Sequence, residues 1–163
     1  MKISKTMETA INKQIAAEFY SAYLYLAMSA WLESENWKGA AKWMVKQAGE
    51  EVTHAMKFFN FVVARGGVVE LLPIAKPQKE WDSMLAAFSD AYQHEINVTK
   101  MIHGLVELAG KDGDMATQSF LKWYVDEQVE EEEHASEIVV SLKKIGDTKP
   151  GLFMLDHRLG KRE

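Results

Sequence analysis

Apolar residues recur every three or four positions over four long stretches, from about Thr6 to Glu33, Asn36 to Arg65, Asp82 to Ala109 and Met115 to Ile145. That spacing lines one face of an α-helix. The alternation that marks a strand is missing, so the pattern predicts an all-α chain. Glycine and proline punctuate it. Gly66 and Gly67 stop the second stretch, the turn GKDGD (110–114) separates the third from the fourth, and Gly146 ends the fourth. Between the second and third lies VVELLPIAKPQKEW (68–81), which holds two of the three prolines and reads as an extended connection. After Pro150 and Gly151, LFMLDHRL (152–159) is long enough for a short last helix.

Link lengths predict how these helices are arranged. Short links make two antiparallel hairpins, and the middle connection is long enough to run the length of a bundle. A four-helix bundle with one crossover follows, its second and third helices parallel. One domain is expected over residues 1–163, with the bundle at about 6–146 and the short fifth helix at about 151–160.

Each core stripe is interrupted. Helix one reads Ile11, Ile15, Glu18, Ala22, Tyr25, Ser29, Leu32, and helix two Ala40, Met44, Gln47, Glu51, Ala55, Phe58, Val62. Helix three reads Leu85, Phe88, Tyr92, Glu95, Thr99, Ile102, Val106. Helix four reads Phe120, Tyr124, Glu127 or Gln128, Glu131, Ala135, Ile138, Leu142, Ile145. A carboxylate breaks every stripe near its midpoint, and in an antiparallel bundle the midpoints share one height. The breaks therefore converge, and His54, three places after Glu51, joins them. The hairpins echo one another as well: Glu18 and Glu51 stand 33 positions apart, as do Glu95 and Gln128. Glu51-x-x-His54 thus corresponds to Gln128-x-x-Glu131 under a pseudo-twofold axis. In the run DEQVEEEEHASE (126–137), Glu131 is expected to face inward and Glu127 and Glu130 the rim. Glu132, Glu133 and Glu137 are expected to face water.

Carboxylates gathered in a bundle centre repel one another and lose hydration, so without partners they would protonate or unfold the bundle. A divalent cation removes both problems. Oxygen-rich ligands with one imidazole suit iron or manganese, and zinc can occupy such a site in vitro. With Glu51 as a bridge the arrangement suits two ions.

Composition narrows the classes further. Nearly half of the 163 residues are hydrophobic, as in an ordinary globular protein. The absence of cysteine excludes disulfides, zinc–thiolate sites and thiol catalysis. A net charge of -5 argues against nucleic-acid binding. MKISKTMETAINK lacks the apolar core of a signal peptide, and no apolar run is long enough to cross a membrane, so a cytoplasmic location is expected.

The segments QIAAEFYSAYLYLAMSAW (14–31), QAGEEVTHAMKFFNFV (47–62), EWDSMLAAFSDAYQHEINVTK (80–100) and FLKWYVDEQVEEE (120–132) resemble the non-haem prokaryotic ferritins. GLFMLDHRLG (151–160) resembles their short fifth helix. The resemblance implies a homo-oligomeric shell of 24 subunits that oxidises Fe(II) with O2 or peroxide and stores a ferric oxide-hydroxide mineral. By the same resemblance, Glu18, Glu51 and His54 would hold the first iron, and Glu51, Glu95 and Glu131 the second. Gln128 would hydrogen-bond near the pair. Glu50, Glu127 and Glu130, with Glu131 shared, look like an accessory third iron site. Tyr25 and Trp123 match the aromatic pair beside the centre, Tyr25 serving either in packing or as an electron donor.

His134 departs from the pattern. It creates a second E-x-x-H, Glu131-x-x-His134, but the pseudo-repeat places the ligands one turn earlier and leaves His134 on the helix surface or at the edge of the inner face. His157 would line a pore or face solvent. Val52 stands where bacterioferritin-like proteins carry a haem-ligating methionine, so no haem is expected. A diiron oxidase or peroxidase with fixed metals is the alternative enzyme, and a metal-free assembly bundle the alternative of another class.

Overall fold

The computed structural model describes residues 2–162. It contains five α-helices: α1 (Lys5–Ser34), α2 (Lys38–Ala64), α3 (Met84–Lys111), α4 (Met115–Ile145) and α5 (Lys149–Leu159). The sequence pattern placed the four long helices to within about two residues. α5 begins earlier than expected because Pro150 sits in its first turn, where the missing N–H costs nothing. Ser4, Ser83 and Asp114 cap α1, α3 and α4, each accepting a backbone N–H three residues on. Asn36 turns the chain from α1 into α2 at φ 64, a left-handed conformation that asparagine tolerates better than most residues.

End-to-end contacts establish the topology. Ile3 N–H donates to Arg65 O, Ser4 Oγ bonds Asp112, and Arg65 reaches Asp114, so the starts of α1 and α4 meet the ends of α2 and α3. Trp31 of α1 packs on Trp81 just before α3 at the opposite end. α2 and α3 therefore run parallel, joined by a crossover over residues 65–83. Asn12 holds the crossover against α1 by donating to Val68 O and accepting from Glu70 N–H, while Val68 N–H donates to Glu8.

α1 lies closely along α2, α3 along α4, and α1 against α3. α2 and α4 stand further apart and are joined by long side chains rather than close backbone approach. On that side Tyr124 Oη donates to His54 O at 2.7 Å, and its ring stacks on Phe58 at 4.0 Å. The core falls into two apolar clusters. One surrounds Tyr25, Met28, Leu32, Met44 and Phe88, the other Ile11, Phe58, Ile102, Leu121 and Tyr124. A polar layer lies between them.

The buried face of α3 is turned by about one residue from the expected stripe. Ala87, Ala91, Val98 and Leu105 are buried, whereas Leu85, Tyr92, Thr99 and Val106 are half-buried. α3 packs on both α1 and α4, so its buried face points between the two. In α4, Leu121 and Gln128 point inward while Phe120 and Glu127 lie at the edge, which decides between Glu127 and Gln128.

Candidate metal centre

Glu18, Glu51, Glu95 and Glu131 are each at most 5% exposed, and all stand in the polar layer with buried His54 and Gln128. Every one sits mid-helix, so the helices present these carboxylates as rigidly as they present the apolar residues of the same face. One ligand atom each from Glu18, Glu51 and His54 lies within 4.8 Å of the others, and the same holds for His54, Glu127 and Glu131. His54 Nδ1 is 3.4 Å from Glu51 Oε2, and Nε2 is 3.6 Å from Glu127 Oε1.

Neutral donors frame the carboxylates. Gln14 donates to Glu18 at 2.8 Å, and Gln47 to Glu131 at 2.5 Å, with a longer contact to Glu51 at 3.5 Å. Gln128 donates to Glu95 at 3.2 Å, and Tyr25 Oη donates to the other oxygen of the same carboxylate. No lysine or arginine among the described residues forms an ion pair with Glu18, Glu51, Glu95 or Glu131.

The electrostatic consequence is direct. Burial, reinforced by the nearby Glu51 charge, pushes Glu18 up to about 8. Burial and Glu95 push Glu131 up to about 7. Burial with the charges of Glu95 and Glu131 raises Glu51 far above the usual carboxylate range. Glu95 is raised by burial too, although the Tyr25 and Gln128 hydrogen bonds favour its charged form. An unpaired buried ion costs on the order of several kcal/mol. Ionising all four would consume a stability of roughly 5–15 kcal/mol. The layer must hold protons or external cations. Oxygen donors with one imidazole, close-set and of convergent charge, fit divalent iron.

The ferritin-like domain family matches residues 8–145 of the chain. A bacterial non-heme ferritin of Bacteroides fragilis (strain 638R) is 41% identical over 160 residues, covering 98% of this chain and 99% of the relative. Another from Staphylococcus aureus (strain USA300) is 36% identical over 98% of this chain and 96% of its own length. Among solved structures, the open pore ferritin of the hyperthermophilic archaeon Archaeoglobus fulgidus superposes with a TM-score of 0.99. That match has 52% identity and covers 99% of this chain and 100% of the other. The chain belongs to the prokaryotic non-haem ferritins.

In this ferritin the fold brings together Glu18, Tyr25, Glu51, His54, Glu95, Gln128 and Glu131, the set expected at the centre. Trp123 lies beside it, its ring 5.4 Å from His54 and covered on another side by Lys57 Nζ at 2.9 Å. The expected accessory set is more dispersed. Glu127 leans toward His54, Glu130 is exposed, and Glu50 accepts from Arg162 Nη2 at 2.6 Å. His134 and His157 are exposed, as are Glu133 and Glu137. Glu132 departs from expectation: it is half-buried and accepts from Thr99 Oγ1 at 2.5 Å, because α3 lies against that side of α4.

Gln14 and Gln47 belong to the site although the pattern of carboxylates along the helices assigns them no chemical role. A signal was available. Each stands four places before an inward glutamate, as Gln14-x-x-x-Glu18 and Gln47-x-x-x-Glu51, where consecutive turns of a helix touch.

Proposed function

We propose that this ferritin stores iron after oxidising Fe(II) with O2, or with peroxide, at a dinuclear centre inside each subunit. Glu18, Glu51 and His54 bind one Fe(II), and Glu51, Glu95 and Glu131 bind the other, with Glu51 shared. Two ferrous ions together supply the two electrons that reduce one O2 to the level of peroxide. Carboxylates favour the harder Fe(III) product over Fe(II), which assists electron loss. Gln14, Gln47, Gln128 and Tyr25 orient the ligand oxygens and so lower the reorganisation needed as charge changes. Glu50, Glu127 and Glu130, with Glu131 shared, form an accessory third position through which oxidised iron leaves. The shell is proposed to contain 24 copies of this chain in the cytoplasm, with the mineral inside.

The observation that carries this reading is the gathering of four buried glutamates from four helices, with no lysine or arginine among the described residues paired to them. Stopped-flow oxidation of Fe(II), two ions per subunit, tests it. Glu51→Ala and His54→Ala should each slow the fast phase by at least about 100-fold, beyond the 10–100-fold expected for residues that merely support ligands. Retention of the wild-type rate in both variants removes the dinuclear centre.

A further inference from the structure

Arg162, three residues beyond α5, brings a guanidinium to the edge of the polar layer. α5 docks across the start of α2, where Trp37 provides no side-chain cap. Asp156 of α5 takes that role, accepting Ala40 N–H at 2.8 Å. The approach is so close that a Cβ on Gly39 would lie 1.8 Å from Asp156 O. Leu155 and Leu159 are buried in the core, and Lys42 Nζ holds Gly160 O at 2.9 Å. A final turn, with Lys161 N–H donating to Arg158 O and Arg162 N–H to Leu159 O, brings Arg162 back over Trp43. Its Cζ lies 4.6 Å from that ring centroid. The placement of Arg162 therefore follows from the docking of α5.

Arg162 makes two contacts there. Nη2 donates to Glu50 Oε2 at 2.6 Å, and Nη1 donates to Gln47 Oε1 at 2.8 Å. The second contact orients the Gln47 amide. With its carbonyl held by a guanidinium, its N–H2 must face Glu131 and Glu51, where the 2.5 Å and 3.5 Å contacts are made. One side chain thus engages a carboxylate of the proposed accessory set and, through one amide, two carboxylates of the dinuclear set.

We propose that Arg162 is a displaceable internal counter-ion. It holds Glu50 while the accessory position lacks metal, and it is released, with the residues that follow α5, when an ion takes that carboxylate. This rests on the accessory position proposed above. The physical reason is competition: one carboxylate faces either a guanidinium or a divalent ion, and the ion carries twice the charge. Linkage then requires reciprocity, so a seated tail weakens the third ion by the factor by which the ion loosens the tail. Arg162 is a positioning residue in this scheme, because it acts on iron only through Glu50 and Gln47.

Calorimetric titration of the assembled metal-free protein with Zn(II) tests the inference without turnover. Wild type should bind two ions tightly and a third more weakly. Arg162→Ala should tighten the third by about tenfold, within the usual range of coupling between sites. Arg162→Lys keeps the charge but loses the planar two-point reach, so it should fall between them. Digestion by a serine carboxypeptidase, followed by mass spectrometry, reads the tail itself. The third equivalent of Zn(II) should speed release of the last residues severalfold in wild type and leave Glu50→Gln unchanged. Three ions of equal affinity in wild type and Arg162→Ala would overturn the latch while leaving the accessory position standing. A tail whose digestion ignores Zn(II) would overturn it as well. Only two ions in both proteins would remove the accessory position and the latch together.

Discussion

Two buried charged clusters in this bundle behave in opposite ways. At one end, Arg65 reaches Asp114 through both terminal nitrogens, at 3.1 and 3.0 Å, and Thr117 adds its hydroxyl and its N–H. Burial alone would raise Asp114, yet the Arg65 and Thr117 hydrogen bonds together outweigh it and hold the carboxyl at about 2. At mid-height, deeper burial acts on Glu18, Glu51, Glu95 and Glu131 with only amides, a phenol and one imidazole for partners, and their pKa values rise. The difference is whether the chain supplies its own cation. The end cluster is neutralised from within and serves as a structural lock across α2 and α4. The middle layer is left for a charge that arrives from outside.

Breaking the lock should have the largest effect on stability. Arg65→Met leaves Asp114 without its cation and should destabilise the fold by roughly 2–4 kcal/mol, read from the midpoint of denaturant unfolding. A change below about 0.5 kcal/mol would mean that Asp114 is hydrated and that the contrast with the middle layer is false.

The pH dependence of the metal-free protein sharpens the comparison further, because the two clusters carry opposite signs. Glu18 and Glu131 have folded pKa values of about 8 and about 7, above their ordinary 4.5. Their contribution is complete below about 4.5 and is lost as pH rises through 7 to 8. Asp114, at about 2 against an ordinary 3.8, contributes above 3.8 and loses that contribution as pH falls toward 2. Tm without metal should therefore fall by on the order of 5–10 °C between pH 5 and pH 9. Saturating Zn(II) should flatten that slope by replacing protons with an ion. A metal-free Tm that climbs over this interval would show the layer to be charge-balanced already.

His134 marks the smallest expected effect. It lies one turn beyond Glu131 but is exposed. His134→Ala should change stability by less than about 0.5 kcal/mol and leave the ion count per subunit unaltered. Loss of one ion would make it a ligand and extend the metal layer by a turn.

The legible part of this site is the part that helical periodicity encodes. Glu18, Glu51, Glu95 and Glu131 each occupy a phase that otherwise carries mostly apolar residues, so their inward direction can be read on each helix separately. Gln128 and His54 follow from the 33-residue echo and the E-x-x-H spacing. The stripe of α3 was displaced because one helix's period says nothing of how many neighbours it packs against. The period of α4 alone points Glu132 toward water for a related reason: its partner Thr99 belongs to another helix, and only the approach of α3 to α4 makes them meet.

By itself, then, the sequence determined the helices, their two hairpins, the crossover and the polar layer at mid-height. These depend on spacing along one helix and on link length, which are one-dimensional quantities. Tertiary structure decided which groups orient the layer and which guard its edge. Gln47 and Glu131 are 84 positions apart, and Arg162 and Glu50 are 112. No local period relates such pairs, and they meet only because helix packing and the docking of α5 bring them within hydrogen-bond reach.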